Sequence, residues 1–279
     1  MVEHETQGCA SCGFPSYAGH VTSCQIANRN ESAEEAASED DRKKFFALFY
    51  KVYGITDDLS RRIQLDLKYF DRLPRSIFGE GVRGGERRIF QIHDQEQNVI
   101  AGAELVMGEN GDRKEAYFGH KIVDEGHRGR DLGHVLVDKR LQIATESGCV
   151  EAWSLVEQDN IAALRSITKD GFLIRGNGIT KNGGEASRDT YYVSRNLTQE
   201  PATPLPFADI KSIRHAETTD QLMGEKILIA LGNKALTQEA FNNGYFGRQV
   251  VLPKDSETIT QPMILMEKTV NVARNTPEE

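Results

Sequence analysis

The chain is expected to be an α/β protein, and three features of its sequence lead there. Apolar residues recur first at helical spacing and then in β-rich runs broken by turn residues. An apolar strand end at Ile122-Val123 passes through a loop rich in Gly and Arg straight into an amphipathic helix. With 38% hydrophobic residues in 279, the chain can hold one good core and smaller attachments.

The elements follow in order. Phe45, Phe46, Leu48, Phe49 and Val52 in residues 41–53, and Leu59, Ile63, Leu67 and Phe70 in residues 58–71, lie at helical spacing, so two helices come first. Arg88–His93 and Val99–Val106 read as strands around the turn-forming stretch 94–98, and Asn110-Gly111-Asp112 turns the chain into a third strand, Ala116–Val123. Leu132, Val135, Leu136, Lys139 and Ile143 give a helix that stops near Ser147-Gly148. Val150–Val156 reads as a buried strand, a helix opens at Asn160, and Leu173–Gly176 and Thr190–Val193 close the sheet.

The loop between Val123 and Leu132 calls for an anion. The first N–H groups of a helix have no intrahelical partner, and the helix dipole puts partial positive charge there. A pyrophosphate suits such a place. Gly129 and Gly133 bring the backbone close to a ligand, and Arg128 and Arg130 add cationic donors. The run Arg128-Gly129-Arg130-Asp131-Leu132-Gly133 resembles the acetyl-coenzyme A loop of the GNAT superfamily of N-acetyltransferases, Q/R-x-x-G-x-G/A, with Asp131 in place of the middle glycine. An Asp there can cap the helix, and its charge opposes a pyrophosphate unless it points away. Asn160, Ala163, Gly171 and Phe172 fall at the spacing of the family's N-x-x-A segment and its closing Gly-Phe. Both motifs stand in the family's order, so the resemblance covers about residues 41–197 and implies a GNAT-like fold, a mixed, mostly antiparallel sheet flanked by helices.

The resemblance also implies chemistry. Acetyl-coenzyme A would be held by Ile122, Val123, Arg128, Gly129, Arg130, Asp131, Leu132, Gly133 and His134, with Asn160 and Ala163 at its arm. A primary amine would attack the thioester directly. The ammonium must first lose a proton, because a lysine-like amine has a pKa of about 10.4. Tyr117 stands where some members place a Glu, and His120, Glu115 and Glu157 are the other candidate bases. The family's frequent proton donor, a Tyr seven residues after the Asn, is replaced by Ile167, which leaves Tyr191 or Tyr192 for that role. The sequence is therefore expected to be an N-acetyltransferase. The alternative is a catalytically weak coenzyme A-binding sensor, or a protein–protein adaptor.

Ahead of this segment, Cys9, Cys12, His20 and Cys24 are spaced C-x2-C-x7-H-x3-C, which resembles a variant zinc knuckle. So short a segment has no core of its own, and zinc would supply its folding energy. Residues 1–40 carry seven acidic groups against Arg29 alone, which argues against nucleic acid as a partner. Residues 28–40 read as a solvated acidic linker. Beyond Leu197 the resemblance stops. Pro201, Pro204 and Pro206 mark a stiff connection. Helices at Asp220–Leu231 and Thr237–Asn242 and strands at Gln249–Leu252 and Met263–Lys268 then suggest a small accessory α+β region over residues 198–279, preferred to a degenerate half of a second transferase-like unit. It would cover the acceptor site or make a homodimer. No apolar run is long enough to span a bilayer and no signal-peptide pattern begins the chain, so the expected location is the cytoplasm, where cysteines spaced for metal stay reduced.

Overall fold

The computed structural model describes residues 32–70, 85–180, 188–202, 205–256 and 258–268. Cys9, Cys12, His20 and Cys24 lie outside them. The chain forms two compact units that divide between Trp153 and Ser154, with Asn196–Gln199 returning to the first. The division falls inside a strand of the segment that resembles the transferase domain.

In the first unit the strands are β1 (Glu34–Glu35), β2 (Glu86–His93), β3 (Val99–Asn110), β4 (Arg113–Val123) and the start of β5 (Glu151–Glu157), neighbours in that order. β1 to β4 pair antiparallel, and β5 joins β4 in parallel. The helices are α1 (Glu39–Val52), α2 (Leu59–Lys68) and α3 (Leu132–Glu146). Ser38 and Asp41 form a capping box that fixes the start of α1, and three acidic residues in its first turn complement the dipole. The helix buries Phe45, Phe46, Leu48 and Tyr50. It can lie close on β3 because Gly102 has no side chain: a Cβ there would sit 2.6 Å from the Phe45 ring. Residues 94–98 turn β2 into β3 through Asp94, whose Oδ1 accepts the N–H groups of Glu96 and Asn98.

The second unit holds the rest of β5, α4 (Ile161–Lys169), β6 (Leu173–Thr180), β7 (Arg188–Asn196), α5 (Phe207–Ile210), β8 (His215–Ala216), β9 (Lys226–Ala230), α6 (Lys234–Asn242), β10 (Tyr245–Val251) and β11 (Met263–Lys268). Its strand order is β5-β7-β6-β10-β11-β9-β8.

Two sequence expectations are corrected. The acidic stretch before α1 is not linker throughout, since Glu34 and Glu35 pair with Gln91 and Phe90 and Ala36 enters the core. Backbone pairing at a sheet edge needs no apolar side chain, so composition did not reveal it. Asp220–Leu231 is not a helix. A short turn at Thr219–Gln221 leads into β9, whose Ile227, Leu228 and Ile229 are all buried. A strand covered on both faces reads as a continuous apolar run, which a buried helix can also produce.

Candidate functional site

β3 and β4 do not run in perfect register. Gly102 lies opposite Ile122 but Glu104 lies opposite Gly119, so β4 carries one extra residue there. His120 absorbs it, with a positive φ of 38° that few non-glycine residues adopt. The bulge turns its ring toward Glu104, and His120 Nδ1 lies 2.7 Å from Glu104 Oε2. The imidazole stays 43% exposed at its side chain, while the Glu104 side chain is fully buried.

A buried carboxylate must be compensated. Glu104 pairs with Arg87 across the β2–β3 ladder as well as with His120. Burial alone would raise its pKa, but the hydrogen bond and charge of His120 and the charge of Arg87 outweigh that and hold it below the ordinary value. Arg87 is fixed in turn by the Phe70 ring, 4.5 Å from its guanidinium carbon, and by the Phe70 carbonyl at 3.4 Å. Gly119 makes the approach possible, for a Cβ on it would sit 2.8 Å from Glu104 Oε2. Beside the bulge lie the carbonyls of Glu104 and Gly119, residues that face each other in the register. Arg140, buried on α3, donates to both at 3.0 and 3.3 Å while stacking on Phe118.

An aromatic ring packs on the exposed imidazole. Phe49 meets His120 edge-on at 4.9 Å between centroids, and Tyr53 packs on Phe49 at 4.7 Å. Tyr117, one turn of the strand pattern away, packs on Trp153 at 4.8 Å. Burial, and then the charge of Glu104, push the Tyr117 phenol up to about 12. It stays protonated at neutral pH and could donate a proton but not accept one.

Four residues beyond His120 the phosphate-loop candidate begins. The ladder between β4 and β5 covers three residue pairs and ends at Tyr117–Trp153. Gly129 has a φ of 78° with open space where a side chain would be. Asp131 directly precedes α3 at a φ of 59°, the left-handed conformation that explains why the motif has glycine at this position. Its side chain makes no capping hydrogen bond, and the first turn of α3 carries no acidic residue. The expectation that Asp131 would cap the helix is therefore not met, and the side chain does not occupy the anion's place by capping. Lys121, which the sequence reading passed over, reaches this helix start: its Nζ lies 3.6 Å from where a Cβ on Gly133 would be. That spacing is ordinary van der Waals contact, in keeping with the motif's Gly-or-Ala at Gly133. Arg128 is exposed in the loop, whereas Leu132 is buried and Ile122 belongs to the core under α1.

The second unit contains the remaining candidates. Asn160 caps α4, its side chain accepting the Ala163 N–H at 3.1 Å, so the N-x-x-A spacing is that of a helix cap and the third residue inside the helix. Glu157 ends β5 and its carbonyl accepts the Asn160 N–H. Ile167 is buried on α4. Tyr191 is fully buried with its ring against Phe241 of α6, and burial pushes its phenol up. The structure thus brings His120 and Tyr117 together about Glu104 and sets Tyr191 under a helix. Among the described residues no group of three or more His, Cys, Asp or Glu is arranged to hold a metal. Nor is any helix long and apolar enough to cross a membrane.

Residues 53–172 match the family described as acetyltransferase (GNAT) family. Solved structures that the chain is similar to include spermidine N-acetyltransferase from Vibrio cholerae in complex with CoA and spermine. It is 16% identical, with a TM-score of 0.46, over 61% of this chain and 98% of that one. An acetyltransferase of the GNAT family from Staphylococcus aureus Mu50 is 18% identical, with a TM-score of 0.43, over 60% and 99%. No curated protein matches the chain.

Proposed function

We propose that the chain transfers an acetyl group from acetyl-coenzyme A to a primary amine, with His120 as general base and Glu104 behind it. The observation that carries this reading lies within the family segment: a helix start left uncapped by Asp131, approached by Lys121 and preceded by a left-handed glycine, in the same strand-to-helix passage as His120 on its buried partner Glu104. The loop fits a pyrophosphate because its N–H groups, Lys121, Arg128 and Arg130 all offer positive charge there. Val123 at the end of β4, with His134 and Leu132 in the first turn of α3, complete the backbone that would hold the cofactor.

When bound, acetyl-coenzyme A supplies a thioester carbon for the amine. The chain's own residues would prepare the amine. Glu104 accepts the hydrogen bond of His120 Nδ1–H, which leaves the lone pair on Nε2. That nitrogen can remove the ammonium proton before the C–N bond forms and the C–S bond breaks. Phe49, Tyr53, Tyr117 and Trp153 form apolar walls that would exclude water and disfavour the charged form of the amine. Tyr117, a phenol that stays neutral, is suited to proton donation. Asn160 and Ala163 are proposed at the cofactor arm on the strength of the motif.

Calorimetric titration with acetyl-coenzyme A, followed by thiol release over a panel of amines, tests the reading. Binding with turnover supports it. Binding without turnover would leave the sensor, and absence of both would overturn the cofactor site itself. The zinc knuckle at Cys9, Cys12, His20 and Cys24 stands as a separate part of the proposal. The purified protein should contain about one zinc per chain, and Cys12→Ser should lose most of it. Equal metal content in the two proteins would reject the knuckle.

A further inference from the structure

The strand–helix–hairpin that closes the first motif returns later in the chain at a constant separation of 73 residues. Asn160 and Asn233, Gly171 and Gly244, Phe172 and Tyr245, and Arg175 and Arg248 all correspond at that offset. The agreement extends to individual bonds. Asn160 N donates to Glu157 O and Asn233 N to Ala230 O, at 3.0 and 2.9 Å. Asn160 Oδ1 caps Ala163 N at 3.1 Å and Asn233 Oδ1 caps Leu236 N at 3.2 Å. The glycines after each helix have φ of 82° and 80°. The first hairpin slips register between Ile174 and Gly176, and the second between Gly247 and Gln249. Each slip passes an arginine, Arg175 or Arg248.

The two copies meet as an isologous pair would. In an interface with two-fold symmetry, a residue near the axis faces its own equivalent. β6 pairs with β10 antiparallel through Ile174 opposite Gly247, which are themselves 73 apart. The strand order is mirrored about that point, β5-β7-β6 and then β10-β11-β9. Each helix packs on the other copy's strand, α4 on β10 and α6 on β6. The sixth residue counted from each capping Asn crosses over, Arg165 to Asp255 at 2.7 Å and Gln238 to Asn177 at 3.0 Å.

We infer that residues 226–268 are a second copy of the strand–helix–hairpin at 153–195, docked on the first about a local two-fold axis as a built-in partner, so that the chain works as a monomer. The edge of β6, which would otherwise offer its unpaired backbone to another chain, is filled from within. The copy has kept the framework and lost the phosphate loop. β8 reaches β9 through only residues 217–225, which hold Glu217, Asp220 and Glu225 and no Lys or Arg. This inference goes beyond the proposed activity and does not rest on it.

Sedimentation equilibrium of the full chain tests it first, with a single species of 31.2 kDa expected at all concentrations. A concentration-dependent dimer would overturn it. Thermal melting tests the junction. Arg165→Ala and Asp255→Ala should each lower Tm by about 3 °C, and the double variant should fall no further than the worse single one. Additive losses would mean that the two copies are not joined there. At the axis a Cβ on residue 247 would lie 2.8 Å from Ile174 Cβ. Gly247→Val should therefore lower Tm and expose the edge as dimer or aggregate, and a monomer of unchanged Tm would contradict the axis. If Gly247→Val does not fold, the Arg165–Asp255 cycle still decides. None of these readouts involves a cofactor.

Discussion

Glu104 is the residue on which most of the proposed chemistry depends, and its charge has two separable consequences. Its folded pKa lies below the ordinary value of 4.5, so the carboxylate stabilises the fold fully above that value. The contribution is lost as pH falls through the lower, folded value. Glu104→Gln should flatten this acid limb while lowering stability at neutral pH by roughly 3 kcal/mol, because Arg87 is left buried without its partner. Urea unfolding of both proteins between pH 3 and about 7 measures this, and a variant with the wild-type acid limb would show that Glu104 is not the group responsible. In the same variant kcat should drop at least about 100-fold with KM for acetyl-coenzyme A unchanged, since the carboxylate acts on the base and not on the cofactor. A raised KM with normal kcat would instead tie Glu104 to cofactor binding. Asp131 raises the opposite expectation. Its left-handed backbone costs a non-glycine residue energy and its side chain does not cap the helix, so Asp131→Gly should bind coenzyme A at least as tightly as wild type. A sharp loss in calorimetric affinity would show that the carboxylate orders the loop by some other contact.

At the scale of elements, the bulge in β4 and helix α3 form one device. A bulge next to a site re-aims a side chain but disrupts the ladder locally. Arg140 supplies donors for the carbonyls of Glu104 and Gly119 beside it. Arg140→Met keeps much of the volume and removes the donors. It should cost about 2 kcal/mol in chemical denaturation and lower activity more than stability suggests, as His120 loses its fixed direction. An unchanged denaturation midpoint would make the brace dispensable. Little of this could be read from the sequence. The helices α1, α2 and α3 and the strands β2 to β7 were legible because their apolar periods and turn residues agree. Gly111 and Gly148 stop their elements with φ of 64° and 78° as the turn reading required. A bulge has no signature in composition, however, because one extra residue changes no pattern of types. Glu104 did leave a signal, as the one charge in the apolar run Val99–Met107. A charge in the middle of a central strand needs a buried partner or a function. Lys121 left none, because its value comes from a helix start that lies eleven residues later.

For the whole molecule, the question is how many cofactor sites the two related segments and the turns before them provide. The repeat itself was partly legible, since Asn-x10-Gly-aromatic-x2-Arg occurs twice in the sequence. It was obscured because β9 looked helical and because the copy lacks the loop that defines the motif. Geometry preserves the capping asparagine and the left-handed glycine, which stabilise a strand–helix–strand whatever it binds. A phosphate site needs more: free N–H groups at a helix of useful length, with cations around them. The first copy has α3 and Lys121, Arg128 and Arg130 before it. The second has three acidic residues and one short turn between β8 and β9, a field that repels a diphosphate. One coenzyme A should therefore bind per chain of 31.2 kDa. Its affinity should weaken as salt is raised, because surface charges that draw it in are screened. Charge reversal at Lys121, Lys121→Glu, should weaken binding at least tenfold, whereas Glu225→Lys in the connection before the second copy should leave it unchanged. A stoichiometry of two, or an equal effect of the two substitutions, would mean that the second segment has kept a site that its sequence no longer shows.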